Sequence, residues 1–273
     1  MTRQEVHIAI DWAAKEGWNP GLFDAECFYQ TDTGGFLVGL LNDEPIATIS
    51  AVKYGKSFGF LGFYLVKPEF RGMGYGIRIW NAGMAALNGR TIGLDGVVAQ
   101  QENYKKSGFI LAYRNVRYQG IGAGHALADS AIVPLSTCAF TEICAFDRPF
   151  FPEDRKDFLA CWISQPQSTA LALIVNHKLV GYGVLRACRN GYKIGPLFAD
   201  SPEYAERLFL AFKAHIPEGQ PFFMDIPMVN SAAVDLMNKH DMTISFETAR
   251  MYRGQSPNLP ISRLFGVTTF ELG

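Results

Sequence analysis

Apolar positions along the chain switch between helical and strand spacing. Glu5 to Trp18 carries an amphipathic pattern that predicts a helix, and Gly21 to Asp32 is a second short helical or irregular segment. Gly35 to Leu41, Pro45 to Tyr54 and Phe58 to Val66 predict three strands. Asn42-Asp43-Glu44-Pro45 and Gly55-Lys56-Ser57 supply the turns between them. A helical pattern returns from Ile77 to Leu87. Thr91 to Gln100 predicts a further strand, and Gln101 to Ser107 a short helix that Gly108 can end as a C-cap. Phe109 to Tyr118 predicts another strand.

The glycine cluster Gly120-Ile121-Gly122-Ala123-Gly124-His125 follows. It can be read as a second phosphate loop or as a linker. No well-formed helix of the right kind follows it, so the linker reading places a domain boundary after residue 124. The order of elements then recurs. Ala131 to Leu135 is a strand, and Phe140 to Phe150 and Glu153 to Ile163 are helical. Thr169 to Val175, Leu179 to Cys188 and Tyr192 to Leu197 are strands. Ser201 can cap a helix that has Pro202 at its first position and runs to about His215. A strand from Pro221 to Met228, a helix from Ser231 to Lys239 and a strand from Thr243 to Tyr252 come next, and Gly266 to Leu272 predicts a last strand. The fold class expected is α/β (α+β), in two domains, 1–124 and 125–273, each built on the same weak repeat.

Length and composition agree with that plan. A chain of 273 residues suits two domains, and 48% hydrophobic residues suffice for two cores. The net charge of −1, with no basic stripe, argues against nucleic acid. No apolar run approaches the roughly 20 residues of a membrane span. Met1-Thr2-Arg3-Gln4-Glu5 lacks the apolar core of a signal peptide, so a cytoplasmic protein is expected. The five cysteines form no C-x-x-C pair, which predicts reduced thiols, with Cys161 in an apolar run as a core residue. The histidines show no ligand spacing, so no metal is expected.

Candidate chemistry concentrates at Val66-Lys67-Pro68-Glu69-Phe70-Arg71-Gly72-Met73-Gly74-Tyr75-Gly76. Strand, glycine turn and helix N-terminus together aim backbone N–H groups at one spot, which suits a phosphate. Arg71 at the lip can add a charge-assisted contact. The segment lacks the Gly-Lys-Ser/Thr ending of a Walker loop, and its G-x-G-x-G spacing differs from the dinucleotide G-x-G-x-x-G.

The Val-x-Pro and Arg-Gly-x-Gly-x-Gly pattern resembles the acyl-CoA loop of the GNAT N-acetyltransferase superfamily. The resemblance implies acetyl-CoA as cofactor, its pyrophosphate held by the amides of Gly72, Met73, Gly74, Tyr75 and Gly76. It implies a tandem pair of mixed, mostly antiparallel sheets, each splayed open, with the cofactor in the split. The thioester carbonyl would be held at the strand end, Tyr64-Leu65-Val66. In Tyr104-Lys105-Lys106-Ser107-Gly108-Phe109 the tyrosine stands four residues before Gly-Phe, the family's place for the acid that protonates the leaving thiolate. Tyr104 can also be read as an aromatic that packs the helix on the sheet. Val97 replaces an Asn that the family often has. The second half resembles the C-terminal domain of two-domain members through Ile194-Gly195-Pro196-Leu197, Asp225-Ile226-Pro227 with Asn230, Arg250-Met251-Tyr252 and residues 266–273. It lacks the Arg-Gly-x-Gly-x-Gly loop, and Pro196, Asp200 and Pro202 oppose phosphate binding there, so that half is expected to be degenerate.

A general base is less defined. Asp95, a carboxylate inside an apolar strand, needs a polar site or a partner, and both a catalytic and a structural reading stay open. By the resemblance, Glu26 and Asp32 border the acceptor side. Asp225 and Asn230 could reach the same cleft or stabilise a buried turn. The expected activity is transfer of acetyl from acetyl-CoA to a small amine by direct attack in a ternary complex, in a monomer or homodimer. The rival readings are a non-catalytic acyl-CoA sensor and a peptide or protein N-acetyltransferase.

Overall fold

The computed structural model describes residues 1–122, 124 and 129–273. In the first half the chain forms α1 (Val6–Lys15), α2 (Asp24–Thr31), β1 (Phe36–Leu41), β2 (Glu44–Tyr54), β3 (Phe58–Val66), α3 (Tyr75–Ala86), β4 (Thr91–Val97), α4 (Gln101–Lys106) and β5 (Ile110–Ile121). The second half forms β6 (Ile132–Pro134), α5 (Phe140–Asp147), α6 (Lys156–Trp162), β7 (Ser168–Val175), β8 (Lys178–Ala187), β9 (Tyr192–Ala199), α7 (Pro202–His215), β10 (Pro221–Pro227), α8 (Ser231–Lys239), β11 (Thr243–Arg253) and β12 (Leu264–Gly266). Local chemistry sets several starts. The Ser201 hydroxyl accepts from the Tyr204 N–H at 3.3 Å above Pro202, and the Asn230 side chain accepts from the Ala233 N–H at 3.3 Å. Among the described residues no helix is long and apolar enough to cross a membrane.

One mixed sheet holds all the strands, in the order β1-β2-β3-β4-β11-β5-β10-β9-β8-β7-β6, with β12 beside β9. Each half lends a strand to the other. β11, from the second half, lies between β4 and β5 and is antiparallel to both. β5, from the first half, lies between β11 and β10 and is likewise antiparallel to both. The cores record the exchange. Ala249 and Met251 of β11 pack with Ile49, Leu61, Trp80 and Leu94, while Val116 and Tyr118 of β5 pack with Phe209, Phe212, Phe222 and Ile226.

Three buried ion pairs cross the same seam. Arg117 on β5 grips Asp225 on β10 through two bonds, at 2.6 and 2.8 Å. Arg250 on β11 grips Asp95 on β4 at 2.9 and 2.5 Å. Arg186 on β8 pairs with Asp24 on α2. Burial works against the Asp225 charge, but Arg117 and Lys193 outweigh it and hold the carboxyl below the ordinary aspartate value of about 3.9. Removing one partner strands a buried charge. We therefore expect Asp225→Asn to lower the unfolding free energy in urea by about 3–5 kcal/mol. Because the folded pKa is depressed, the parent should carry this stabilisation in full above the unfolded aspartate value and lose it as pH falls through the folded one. The Asn variant should lack that part of the acid dependence.

Three expectations need correction. The glycine cluster is not a linker from its first residue: β5 runs through Ile121, and the Gly122 N–H donates to the Gln220 carbonyl at 2.8 Å. Ala123 and His125, the rest of that reading with Gly124, lie outside the described residues. The last strand covers Leu264–Gly266, not Gly266 to Leu272. Residues 267–272 are buried on all sides in the seam between the halves, and this burial, not ladder pairing, accounts for their apolar pattern. Finally, Cys27 and Cys161 are joined as a disulfide, Cα atoms 5.3 Å apart, where reduced thiols were expected. They are 134 residues apart in sequence and meet because α2 packs on α6.

Candidate active site

β3 and β4 run parallel and pair only from Phe58 opposite Thr91 to Leu61 opposite Leu94. Beyond that point they part, and the outer edge of β3 has no ladder partner. Phe63 adopts a left-handed φ of 46°, and the β2–β3 register shifts between Thr48 and Ser50. The Thr48 hydroxyl donates to the Phe63 carbonyl at 2.8 Å and fixes this bulge. Such a bulge re-aims the following residues, here Tyr64, Leu65 and Val66, along the gap. A cavity of about 420 Å³ occupies the split, and all three line it.

At its mouth the strand gives way to the glycine turn. Gly72 and Gly74 sit at φ 77° and 85°, a conformation that side chains resist, and nothing lies within 4 Å of where their Cβ atoms would be. Gly74 is the N-cap of α3, and the first bond into the helix runs from the Arg78 N–H to the Gly74 carbonyl at 3.4 Å. The amides of Tyr75, Gly76 and Ile77 thus precede the helical ladder, at the positive end of its dipole. Arg71 donates from Nε to the Val66 carbonyl at 2.9 Å and pairs with Glu16. Its charge is held at the lip. Open space over left-handed glycines, free amides and a fixed cation fit a phosphate.

Tyr104 lies on the wall of the cavity with its ring stacked on Trp80, centroids 5.5 Å apart. The Trp80 indole N–H donates to the Ser107 hydroxyl at 3.1 Å, which ties α3 to α4. Burial, then the neighbouring Tyr64, pushes the Tyr104 hydroxyl well above an ordinary phenol. Asp95 also lines the cavity, but Arg250 takes both of its oxygens, and Asn115 donates to one at 2.8 Å. Burial pushes this carboxyl up, against the pull of Arg250 and Asn115. Val97 lines the same wall.

The other sequence candidates lie elsewhere. Glu26 pairs with Arg3 on the outside of α2. Asp32 accepts from the Gly34 and Lys53 amides at 3.1 and 3.0 Å and shapes a turn. Asp225 is spent on Arg117, and Asn230 caps α8 and donates to the Leu264 carbonyl at 2.9 Å. None of the four lines the cavity. Arg117, Phe246, Thr248, Phe270 and Glu271 do line it and were not among the site residues read from the sequence, because β11 and the last residues reach the site only through the strand exchange. The Thr248 hydroxyl is buried there without a partner among the described residues.

The second half has the equivalent split, between β9 and β10, which pair only from Tyr192 to Ile194. The chain itself fills it. β12 pairs with β9, and the Val267 N–H donates to the Asp225 carbonyl of β10 at 2.8 Å. A Cβ at Gly195 would meet the carbonyl oxygens of Val267 and Thr268 at 2.7 and 2.8 Å.

Sequence and structure comparisons agree with this geometry. The profile described as "Acetyltransferase (GNAT) family" matches residues 4–109, and that described as "Acetyltransferase (GNAT) domain" matches residues 143–266. A holothin acyltransferase from Pseudoalteromonas sp. (strain SANK 73390) is 32% identical over 270 residues, 99% of this chain and 92% of that protein. A putative acetyltransferase from Pyrococcus horikoshii superposes with a TM-score of 0.84, covering 100% of this chain and 94% of its own, at 22% identity. A tandem GNAT protein from the clavulanic acid biosynthesis pathway superposes with a TM-score of 0.63, covering 94% and 98%, at 10% identity. These last two are likenesses of fold.

Proposed function

Because the chain belongs to the GNAT family and is an acyltransferase, we propose that it transfers acetyl from acetyl-CoA to the amine of a small, flat acceptor. One observation carries this reading: of two equivalent splits in the sheet, one is closed by the chain's own residues and the other is open, with a free phosphate loop at its mouth and a buried tyrosine on its wall. On this reading residues 1–124 hold the donor, and residues 125–273 are a degenerate copy that lends β11 and the last residues to the acceptor side.

Acetyl-CoA, as donor substrate, supplies a thioester carbonyl. The Gly72–Gly76 amides hold its pyrophosphate, and the unpaired edge of β3 at Tyr64–Val66 receives the carbonyl oxygen. Tyr104, kept protonated by burial, donates to the departing sulfur. Asp95 is a positioning residue, which locks Arg250 and with it β11. Phe246 and Phe270, with Arg117 between them at 5.6 and 5.2 Å from their ring centroids, wall the acceptor side. Two aromatic rings on that wall favour a small planar amine over a peptide. The holothin acyltransferase makes holothin the first acceptor to try.

The test is thiol release from acetyl-CoA with holothin, tyramine and aniline as acceptors, with product mass checked for one added acetyl group. We expect turnover with at least one of them. Acetyl-CoA that binds with no thiol released would count against a small flat amine as acceptor, and acetyl-CoA that does not bind would end its role as donor at this site.

A further inference from the structure

Acyl transfer needs a group to take the acceptor's proton, and this inference rests on the acyltransfer reading above. Three carboxylates line the cavity: Glu16, Asp95 and Glu271. Glu16 is at the mouth, paired with Arg71. Asp95 has given both oxygens to Arg250. Glu271 alone of the three has no ion pair among the described residues. Its contacts are local. The Thr269 hydroxyl donates to Oε2, and the Glu271 N–H donates to the Thr269 hydroxyl at 3.2 Å. This turn leaves the carboxylate with one side-chain partner, on a residue that lines the cavity.

Placement favours it too. The Glu271 carbonyl oxygen lies against the Cα of Gly62, where any Cβ would collide with it. Gly62 directly precedes the bulged Phe63, so Glu271 is packed beside the stretch of β3 that would receive the thioester. The Tyr54 hydroxyl donates to the next carbonyl, that of Leu272, at 3.1 Å and pins the segment. The Glu271 side chain is buried, at 5% exposure, among positive charges from neighbouring strands. Its charge bears on Arg117 of β5, Arg186 of β8 and Lys193 of β9. Asp225 and Asp24 neutralise the two arginines, and the Cys188 thiol lies in the same group.

We propose that Glu271 is the general base, and that the C-terminal segment exists in part to deliver it. The acceptor nitrogen forms the new C–N bond with its lone pair. The C–S bond breaks and its electron pair goes to sulfur, which takes the Tyr104 proton. The proton lost by the nitrogen goes to the Glu271 carboxylate. Exchange through water then returns a proton from Glu271 to the Tyr104 oxygen, and no further reactant is required.

The experiment compares the parent chain with Glu271→Gln and Glu271→Asp, using acetyl-CoA with holothin, tyramine and aniline. We expect Glu271→Gln to lower kcat/KM by about 10²–10⁴-fold at neutral pH and to flatten the rising limb of the pH–rate profile. Its affinity for acetyl-CoA by calorimetry should stay near the parent's. Glu271→Asp, which keeps a carboxylate set back by one methylene, should turn over slowly and retain the limb. A Gln variant within about threefold of the parent, or with an unchanged limb, overturns the proposal while leaving the acyltransfer reading intact. Should the Gln variant not fold, the Asp variant decides, and a parental rate overturns the proposal. A parent chain that binds acetyl-CoA and releases no thiol with any of the three amines overturns the proposed acetyl transfer to a small flat amine, on which this inference rests.

Discussion

Tyr104→Phe should lower kcat by about 10²–10³-fold, the usual effect of removing one donor from a site where charge develops. The phenol is placed for this by packing. α4 is short, from Gln101 to Lys106, and Trp80 of α3 supplies the surface on which the ring rests. Because burial raises the hydroxyl's pKa, the proton is present throughout the neutral range and is available as negative charge builds on sulfur. The Phe variant keeps the ring, so its Tm and its affinity for acetyl-CoA should change little. A loss confined to kcat is the signature of a transition-state contact. An equal loss of stability would assign Tyr104 to packing instead, and an unaltered kcat would remove it from the chemistry.

The second large effect is expected at the loop. Gly74→Val should reduce acetyl-CoA affinity by at least about 10²-fold in a calorimetric titration. Two consequences add. A β-branched residue at φ 85° strains the N-cap by about 1–2 kcal/mol. Its side chain also enters the open space before the amides of Tyr75 to Ile77, where a pyrophosphate would lie. Hydrogen bonds to a charged group contribute about 1.5–3 kcal/mol each. Losing two therefore removes about two to four factors of ten. The folded sheet is remote from this turn, so urea unfolding should shift by the strain alone. Parental affinity in the Val variant would take the phosphate role away from the loop.

Most elements were legible in the sequence, and so was one side of the site. Periodicity alone placed β3 at Phe58–Val66 and α8 at Ser231–Lys239, because each is a local pattern with local stops. The glycine turn was legible for the same reason: its strand, its left-handed residues and its helix are contiguous. The opposite wall of the cavity was not. Thr248, Phe270 and Glu271 are assembled from segments more than 150 residues beyond β3 and β4, through a pairing that no period encodes. Asp95 and Asp225 were visible as carboxylates in apolar strands, which signals a partner without naming it. Their partners, Arg250 and Arg117, lie across the strand exchange. Residues 266–272 misled because a segment buried on every side has the composition of a strand without needing one.

The exchange of β5 and β11 also governs the order in which this protein can come into being. As the chain is synthesised, the first half emerges with a gap in its sheet, since the strand that belongs between β4 and β5 is encoded some 120 residues later. Neither half can close before residues 243–253 are made, and pairings this distant are slow to form. Until then two unpaired strand edges stand open, a stage at which such chains depend on protection from aggregation. The last residues then perform two tasks at once, sealing the second split with Leu264–Gly266 and bringing Glu271 to the first. A chain cut short before them would retain its glycine turn and leave the first split without Phe270 and Glu271 on its wall.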